Sequence, residues 1–156
     1  MSSSLAPDFS LAATSGQTVT LGALRGRKLV LYFYPKDNTP GCTNETKDFG
    51  ALHGAFAACG CDVFGISRDS LKSHENFKTK LELPFELISD PDEVACEAFG
   101  VMKMKNMYGK KVRGIERSTF LVGADGKLAR EWRGVKVPGH AAEVLAAVEA
   151  LGKPGR

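Results

Sequence analysis

Residues 28–34 (KLVLYFY) form an unbroken apolar and aromatic run that Pro35 closes. A run without alternation reads as a strand buried on both faces. The flanking segments fit around it. Residues 9–11 and 19–21 bracket the turn signal Ser15-Gly16 and read as a small hairpin. After the loop KDNTPG, the spacing of Phe49, Leu52 and Phe56 predicts a helix over 42–58, with Cys42 on the face of Phe49. Residues 62–67 (DVFGIS) read as a second strand, 71–81 as a helix, 85–88 as a short strand and 92–99 as a further helix. Residues 101–113 are rich in Met and Lys and show no clean period. Two late strands, 118–122 and 127–132, flank the turn Ala124-Asp125-Gly126. A closing helix over 140–151 aligns Val144, Val148 and Leu151. The order β-α-β-α-β-α-β-β-α predicts a single α/β domain over 1–156, a central mixed sheet flanked by helices with an N-terminal β-hairpin.

A chain of 156 residues is about one domain long and buries a core without disulfides or metals to hold it. At 43% apolar and 25% charged, its composition is that of an ordinary globular protein. The net charge of +3 is mild and the basic residues are interspersed with acidic ones, which argues against a nucleic-acid partner. The longest apolar run is far too short to span a bilayer. The start, MSSSLAPDFS, lacks the basic and apolar stretches of a secretory signal, so the expected location is cytoplasmic, with no membrane partner. In that compartment Cys42, Cys59, Cys61 and Cys96 are expected to be reduced, either catalytic or buried. Residues 2–4 and 153–156 read as frayed ends.

One of the four cysteines stands where a helix begins. The free N–H groups and positive dipole end of a helix favour a thiolate, the nucleophilic form of the side chain. Thr39, three residues earlier, is able to place a hydroxyl near the sulfur, accepting from a substrate O–H and donating to an oxygen. Pro35 and Pro40 fix the backbone and remove N–H donors, leaving those around Gly41 and Cys42 for a substrate oxygen. Gly41 permits close approach of a substrate to the backbone. By position alone, Cys42 equally suits a small apolar residue facing the core.

The loop carries a more specific signal. PKDNTPGCTNE resembles the peroxiredoxin signature P-x-x-x-T-x-x-C, with Pro35, Thr39 and Cys42 in register. YFYPKDNTPGCTNE, DVFGIS, FELISDPDEVACEAFGV and RSTFLVGADGKL, in that order, are similar to the bacterioferritin-comigratory-protein (PrxQ) branch, over about residues 6–151. The resemblance implies a thioredoxin-like fold, with which the predicted element order is compatible. It also implies a thiol-dependent peroxidase, monomeric and without cofactor or metal, acting on hydrogen peroxide and organic hydroperoxides. Cys42 is then the nucleophile that becomes a sulfenic acid, Thr39 orients the peroxide and Pro35 shields the pocket. Arg117, just ahead of STFLV, corresponds to the active-site arginine and would stabilise the thiolate and the leaving oxygen. From composition alone, Arg113, Arg130 and Arg133 compete with it. Glu45 matches the C-T-x-E pattern and would position that arginine, although a first-turn Glu also suits a helix dipole.

The pattern breaks at the resolving cysteine. Members of this branch carry it five or 36 residues after the first, and here those positions are Lys47 and Lys78. Cys59 lies about 25 Å from Cys42 along an unbroken helix, whereas a disulfide requires Cα atoms within about 7 Å. Gly50 and Gly54 weaken that helix by about 1 kcal/mol each. Cys61 opens a predicted buried strand and Cys96 sits on a short helix, and both read as core. The expectation is a one-cysteine cycle resolved by an external thiol such as thioredoxin, glutaredoxin or glutathione. The alternative is an intramolecular disulfide to Cys59, Cys61 or Cys96.

Rival functions lack their residues. A disulfide oxidoreductase requires C-x-x-C, but Thr43, Asn44 and Glu45 follow Cys42. A Cys–His hydrolase requires an imidazole beside the thiol, and His53, His74 and His140 read as surface residues of helices. Cys59-Gly60-Cys61 without a second pair falls short of a structural zinc site. The non-enzymatic alternative is a stress-linked interaction or holdase protein, using Met102, Met104, Met107 and Tyr108 as an adaptable surface. The same segment also fits a lip over a peroxide pocket.

Overall fold

The computed structural model describes residues 5–151, so the two ends read as frayed lie outside the described residues. The apolar run becomes β3 (Lys28–Phe33), and all six of its residues are buried. Its alternating side chains build two cores. Val30 and Tyr32, with Tyr34 just beyond, pack against Phe49, Phe56, Phe77, Val144 and Val148. Leu29, Leu31 and Phe33 pack against Phe9, Phe99, Phe120 and Ile115 on the other face. Each large side chain buried this way contributes roughly 1.5–3 kcal/mol.

The remaining elements, in chain order, are β1 (Ser10–Ala12), β2 (Thr18–Thr20), α1 (Pro40–Ala51), α2 (His53–Ala58), β4 (Cys61–Ser67), α3 (Leu71–Leu81) and β5 (Leu87–Ser89). They continue with α4 (Val94–Ala98), β6 (Met102–Met107), β7 (Lys110–Ile115), β8 (Ser118–Val122), β9 (Leu128–Arg133) and α5 (His140–Ala150). The central sheet has the order β5-β4-β3-β8-β9. β3 pairs in parallel with β4, as β4 does with β5, while β8 runs antiparallel to both β3 and β9. The sheet is therefore mixed and flanked by helices, and β1–β2 form the expected N-terminal hairpin.

Three expectations need correction. The helix predicted over 42–58 starts earlier, at Pro40, and divides at Leu52, where φ is −97° and ψ is 3°. Gly50 and Gly54 flank that break, and both lower the helix preference of the chain around it. Leu21 leaves the predicted second hairpin strand for a 3-10 turn, Leu21–Leu24. Residues 101–113, which show no period, belong to an antiparallel hairpin of β6 and β7. Its turn places Tyr108 at φ 53° and Gly109 at φ 80°, the positive pair that a two-residue hairpin turn demands. No alternation shows because polar residues occupy both faces of an exposed ribbon.

Candidate active site

β3 ends at the C-terminal edge of the parallel strands, the side of an α/β sheet where ligands gather. Pro35 is half-buried there, and Asn38 turns the chain with φ 65°. Thr39, in an extended conformation, precedes Pro40 at the first helical position, which suits a residue without an N–H. The Thr39 hydroxyl donates to Lys36 O at 2.9 Å and does not cap the helix. Its proton is thus committed, leaving it as an acceptor for an incoming O–H. The first N–H to join the helical ladder is that of Thr43, on Thr39 O at 2.8 Å. The N–H groups of Gly41 and Cys42 stand ahead of it and form the positive end of the helix around the thiol.

Cys42 is 1% exposed. Arg117 reaches it from the start of β8, whose Ser118 pairs with Phe33 at the end of β3. Nη2 of Arg117 lies 3.5 Å from Cys42 Sγ, and Nη1 lies 2.6 Å from Glu45 Oε1. Gly41 makes room for this: a Cβ there would come within 3.2 Å of Arg117 Nη2. Gly41 thus admits the guanidinium, a neighbour not foreseen there from the sequence. Glu45 is buried one helical turn after Cys42, and its Oε2 has no hydrogen-bond partner among the described residues. Burial pushes its carboxyl up to about 7, against the opposing pull of Arg117. Arg117 is itself held above its usual range: burial opposes its charge, but Glu45 and Cys42 outweigh that.

The competing arginines face elsewhere. Arg113 pairs with Glu93 and Glu97, Arg130 lies over the Trp132 ring, and Arg133 donates to the Phe99 and Gly100 carbonyls. Lys47 is exposed on α1, and Lys78 Nζ lies 3.9 Å from Glu86.

The other thiols lie away from the site. Cys61 pairs with Lys28, at the opposite end of β3 from the Cys42 loop, so a strand roughly 17 Å long separates them. Cys59 sits at that same far end, where its carbonyl accepts from Lys28 Nζ at 3.0 Å. Cys96 packs in the core on the opposite face of the sheet from Cys42. Burial pushes the Cys61 thiol up to about 12 and raises that of Cys96 further, which suppresses their thiolates.

Three residues near the site escape a reading of the sequence. Lys105, on β6, places Nζ on Ile115 O at 2.5 Å, and both Arg117 and Cys42 act on its charge. The Met- and Lys-rich hairpin therefore borders the thiol, while Met104 and Tyr108 are exposed. Asp37 and His74 form a buried pair at 2.8 Å under the loop. The expectation of surface histidines fails for His74 and His140, both of which are buried. His140 bonds Thr119 Oγ1 at 2.8 Å, and burial holds its ring below the usual range, in the neutral form. A histidine's burial depends on a distant partner, which no local spacing reveals.

Known proteins are similar to this chain over most of its length. The AhpC/TSA family model matches residues 3–131. Peroxiredoxin Bcp of Xanthomonas campestris is 54% identical over 146 residues, covering 94% of this chain and 91% of that protein. Peroxiredoxin Bcp of Bacillus subtilis is 49% identical over 140 residues, 90% of this chain and 89% of that one. A solved structure of the Xanthomonas campestris bacterioferritin comigratory protein, described for its alkyl peroxide reduction, superposes with a TM-score of 0.89 at 53% identity. It covers 93% of this chain and 92% of its own.

Proposed function

The chain belongs to the AhpC/TSA family, in its Bcp (PrxQ) branch, and is a thiol-dependent peroxidase of thioredoxin-like fold; from that premise we propose that Cys42 is its peroxidatic cysteine and that an external thiol resolves it. The observation that carries the reading is the meeting of Arg117 Nη2 with Cys42 Sγ, at 3.5 Å, at the start of a helix. The thiolate attacks the terminal oxygen of a hydroperoxide, the S–O bond forms and the O–O bond breaks. Sulfur is oxidised by two electrons, and the leaving oxygen takes a proton to depart as water or an alcohol. The Arg117 guanidinium faces the negative charge before and during this displacement. The Gly41 and Cys42 N–H groups and the Thr39 hydroxyl supply donors and an acceptor for the peroxide. Pro35 covers the pocket from the strand side.

The places of Cys59, Cys61 and Cys96, far along β3 or across the sheet, favour resolution from outside. An external thiol then attacks the sulfenic sulfur and releases water, and a second thiol reduces the mixed disulfide. Thioredoxin, glutaredoxin and glutathione all supply that chemistry, and hydrogen peroxide and organic hydroperoxides are the substrates of this reading. A monomer in the cytoplasm belongs to the same reading; the described cysteines are all unpaired, and no described helix is long and apolar enough to cross a membrane.

The direct test follows peroxide loss in the presence of dithiothreitol. Wild type should consume hydrogen peroxide and Cys42→Ser should not; equal rates would remove the reading and leave the exposed Met104 and Tyr108 as the better clue to function.

A further inference from the structure

Besides one exposed bond from Lys80 Nζ to Asn38 Oδ1 at 3.3 Å, the loop that carries Thr39 is fastened through Asp37, which is 4% exposed and lies five positions before Cys42. Its N–H donates to Asp69 Oδ2 at 2.9 Å, and its Oδ1 accepts from Tyr34 O–H at 2.6 Å. Oδ2 meets His74 Nδ1 at 2.8 Å and accepts from Ser73 Oγ at 2.8 Å. His74, fully buried on α3, has its other nitrogen 3.0 Å from Ile88 O. A carbonyl oxygen only accepts, and so does an ionised carboxylate. The ring that satisfies both neighbours therefore carries two N–H groups and a positive charge. The groups facing it are the carboxylates of Asp37 and Asp69, the hydroxyls of Tyr34 and Ser67, and the Ile88 carbonyl. Burial opposes the charge on Asp37, but the hydrogen bonds from His74, Tyr34 and Ser73 outweigh it and hold that carboxyl below its usual range. Asp37, Asp69 and His74 are also spaced to hold a metal ion. Both ring nitrogens, however, are already engaged, so the trio reads as a hydrogen-bond network.

We propose that Asp37 and His74 are positioning residues, a buried ion-pair latch that ties the peroxide loop to α3 and keeps the site closed around Cys42. The proposal rests on the reading that Cys42 attacks peroxide. At 1% exposure the sulfur suits a small peroxide and excludes a bulkier thiol. Attack on peroxide needs the closed loop, while resolution needs it open. The latch sets the balance between the two steps.

The test measures two rate constants in reduced Asp37→Asn, His74→Gln and the milder Ser73→Ala. One is peroxide attack by stopped flow, and the other is reduction of the Cys42 sulfenic acid by dithiothreitol. The latch predicts that peroxide attack falls about tenfold or more in the first two variants and less in Ser73→Ala, while reduction of the sulfenic acid holds or speeds up. Folded variants with both constants unchanged would overturn it, because a structural bond alone lowers only the melting temperature. Both constants falling by the same factor would also overturn it, since that marks a loss at the sulfur itself. Should the first two variants not fold, Ser73→Ala carries the test, as it removes one donor from Oδ2 and leaves the pair. If Cys42→Ser retains wild-type peroxide attack, the functional reading fails; if wild type reacts through Cys42 and the variants match it, only the latch fails.

Discussion

Arg117 divides its two terminal nitrogens between Glu45 and Cys42. In the proposed mechanism its replacement by Met removes the donor that faces the developing charge. The rate constant for hydrogen peroxide should fall roughly 10²–10³-fold, the usual loss for one such donor, with the fold intact by circular dichroism. Glu45 controls the same guanidinium through its own ionisation. With its carboxyl pushed up to about 7 by burial, it holds Arg117 as an anion above that pH and releases its grip below. The pH–rate profile should therefore contain a limb near pH 7 that Glu45→Gln abolishes. A limb that survives in the variant would assign it to another group.

At the scale of elements, two placements support the proposed chemistry: the helix start that carries Cys42 and the strand that separates it from Cys59 and Cys61. The triple variant Cys59→Ser, Cys61→Ser, Cys96→Ser should retain peroxide turnover with dithiothreitol to within about twofold, some loss of stability from the buried sites being expected. A turnover that collapses with any one of them would mark that residue as resolving. The hairpin of β6 and β7 borders the site through Lys105, whose ammonium sits beside the strand that leads into Arg117. Burial holds Lys105 below its usual range, and Arg117 adds to the shift. Lys105→Gln should slow peroxide attack severalfold and leave the circular dichroism spectrum unchanged. Much of this was legible in the chain. KLVLYFY ending at Pro35 gave the central strand, and P-x-x-x-T-x-x-C gave the loop and helix start. The hairpin was not, because an exposed ribbon with polar residues on both faces has no apolar period to read. Nor was the Asp37–His74 pair, whose partners lie on separate elements and meet only in the folded chain.

Over the whole molecule, the two buried carboxyls at the site act on stability with opposite signs. Glu45 has a folded value near 7 against an ordinary 4.5, so the folded state binds more protons between those pH values. Its contribution is full below about pH 4.5 and is lost as pH rises towards 7. Asp37 is held below its ordinary range, so its contribution is present above about pH 4 and is lost as pH falls further. Thermal unfolding should show wild type gaining stability from pH 7.5 to pH 5, a gain that Glu45→Gln flattens. The layered core supplies the scaffold for both, with Tyr32 and Phe49 stacked 4.7 Å apart between β3 and α1. The measurement that bears most directly on the account is a mass map of the protein after one equivalent of hydrogen peroxide without reductant. The account predicts one added oxygen on the Cys42 peptide and free thiols at Cys59, Cys61 and Cys96. A disulfide joining Cys42 to any of those three, or oxygen added elsewhere with Cys42 untouched, would contradict it.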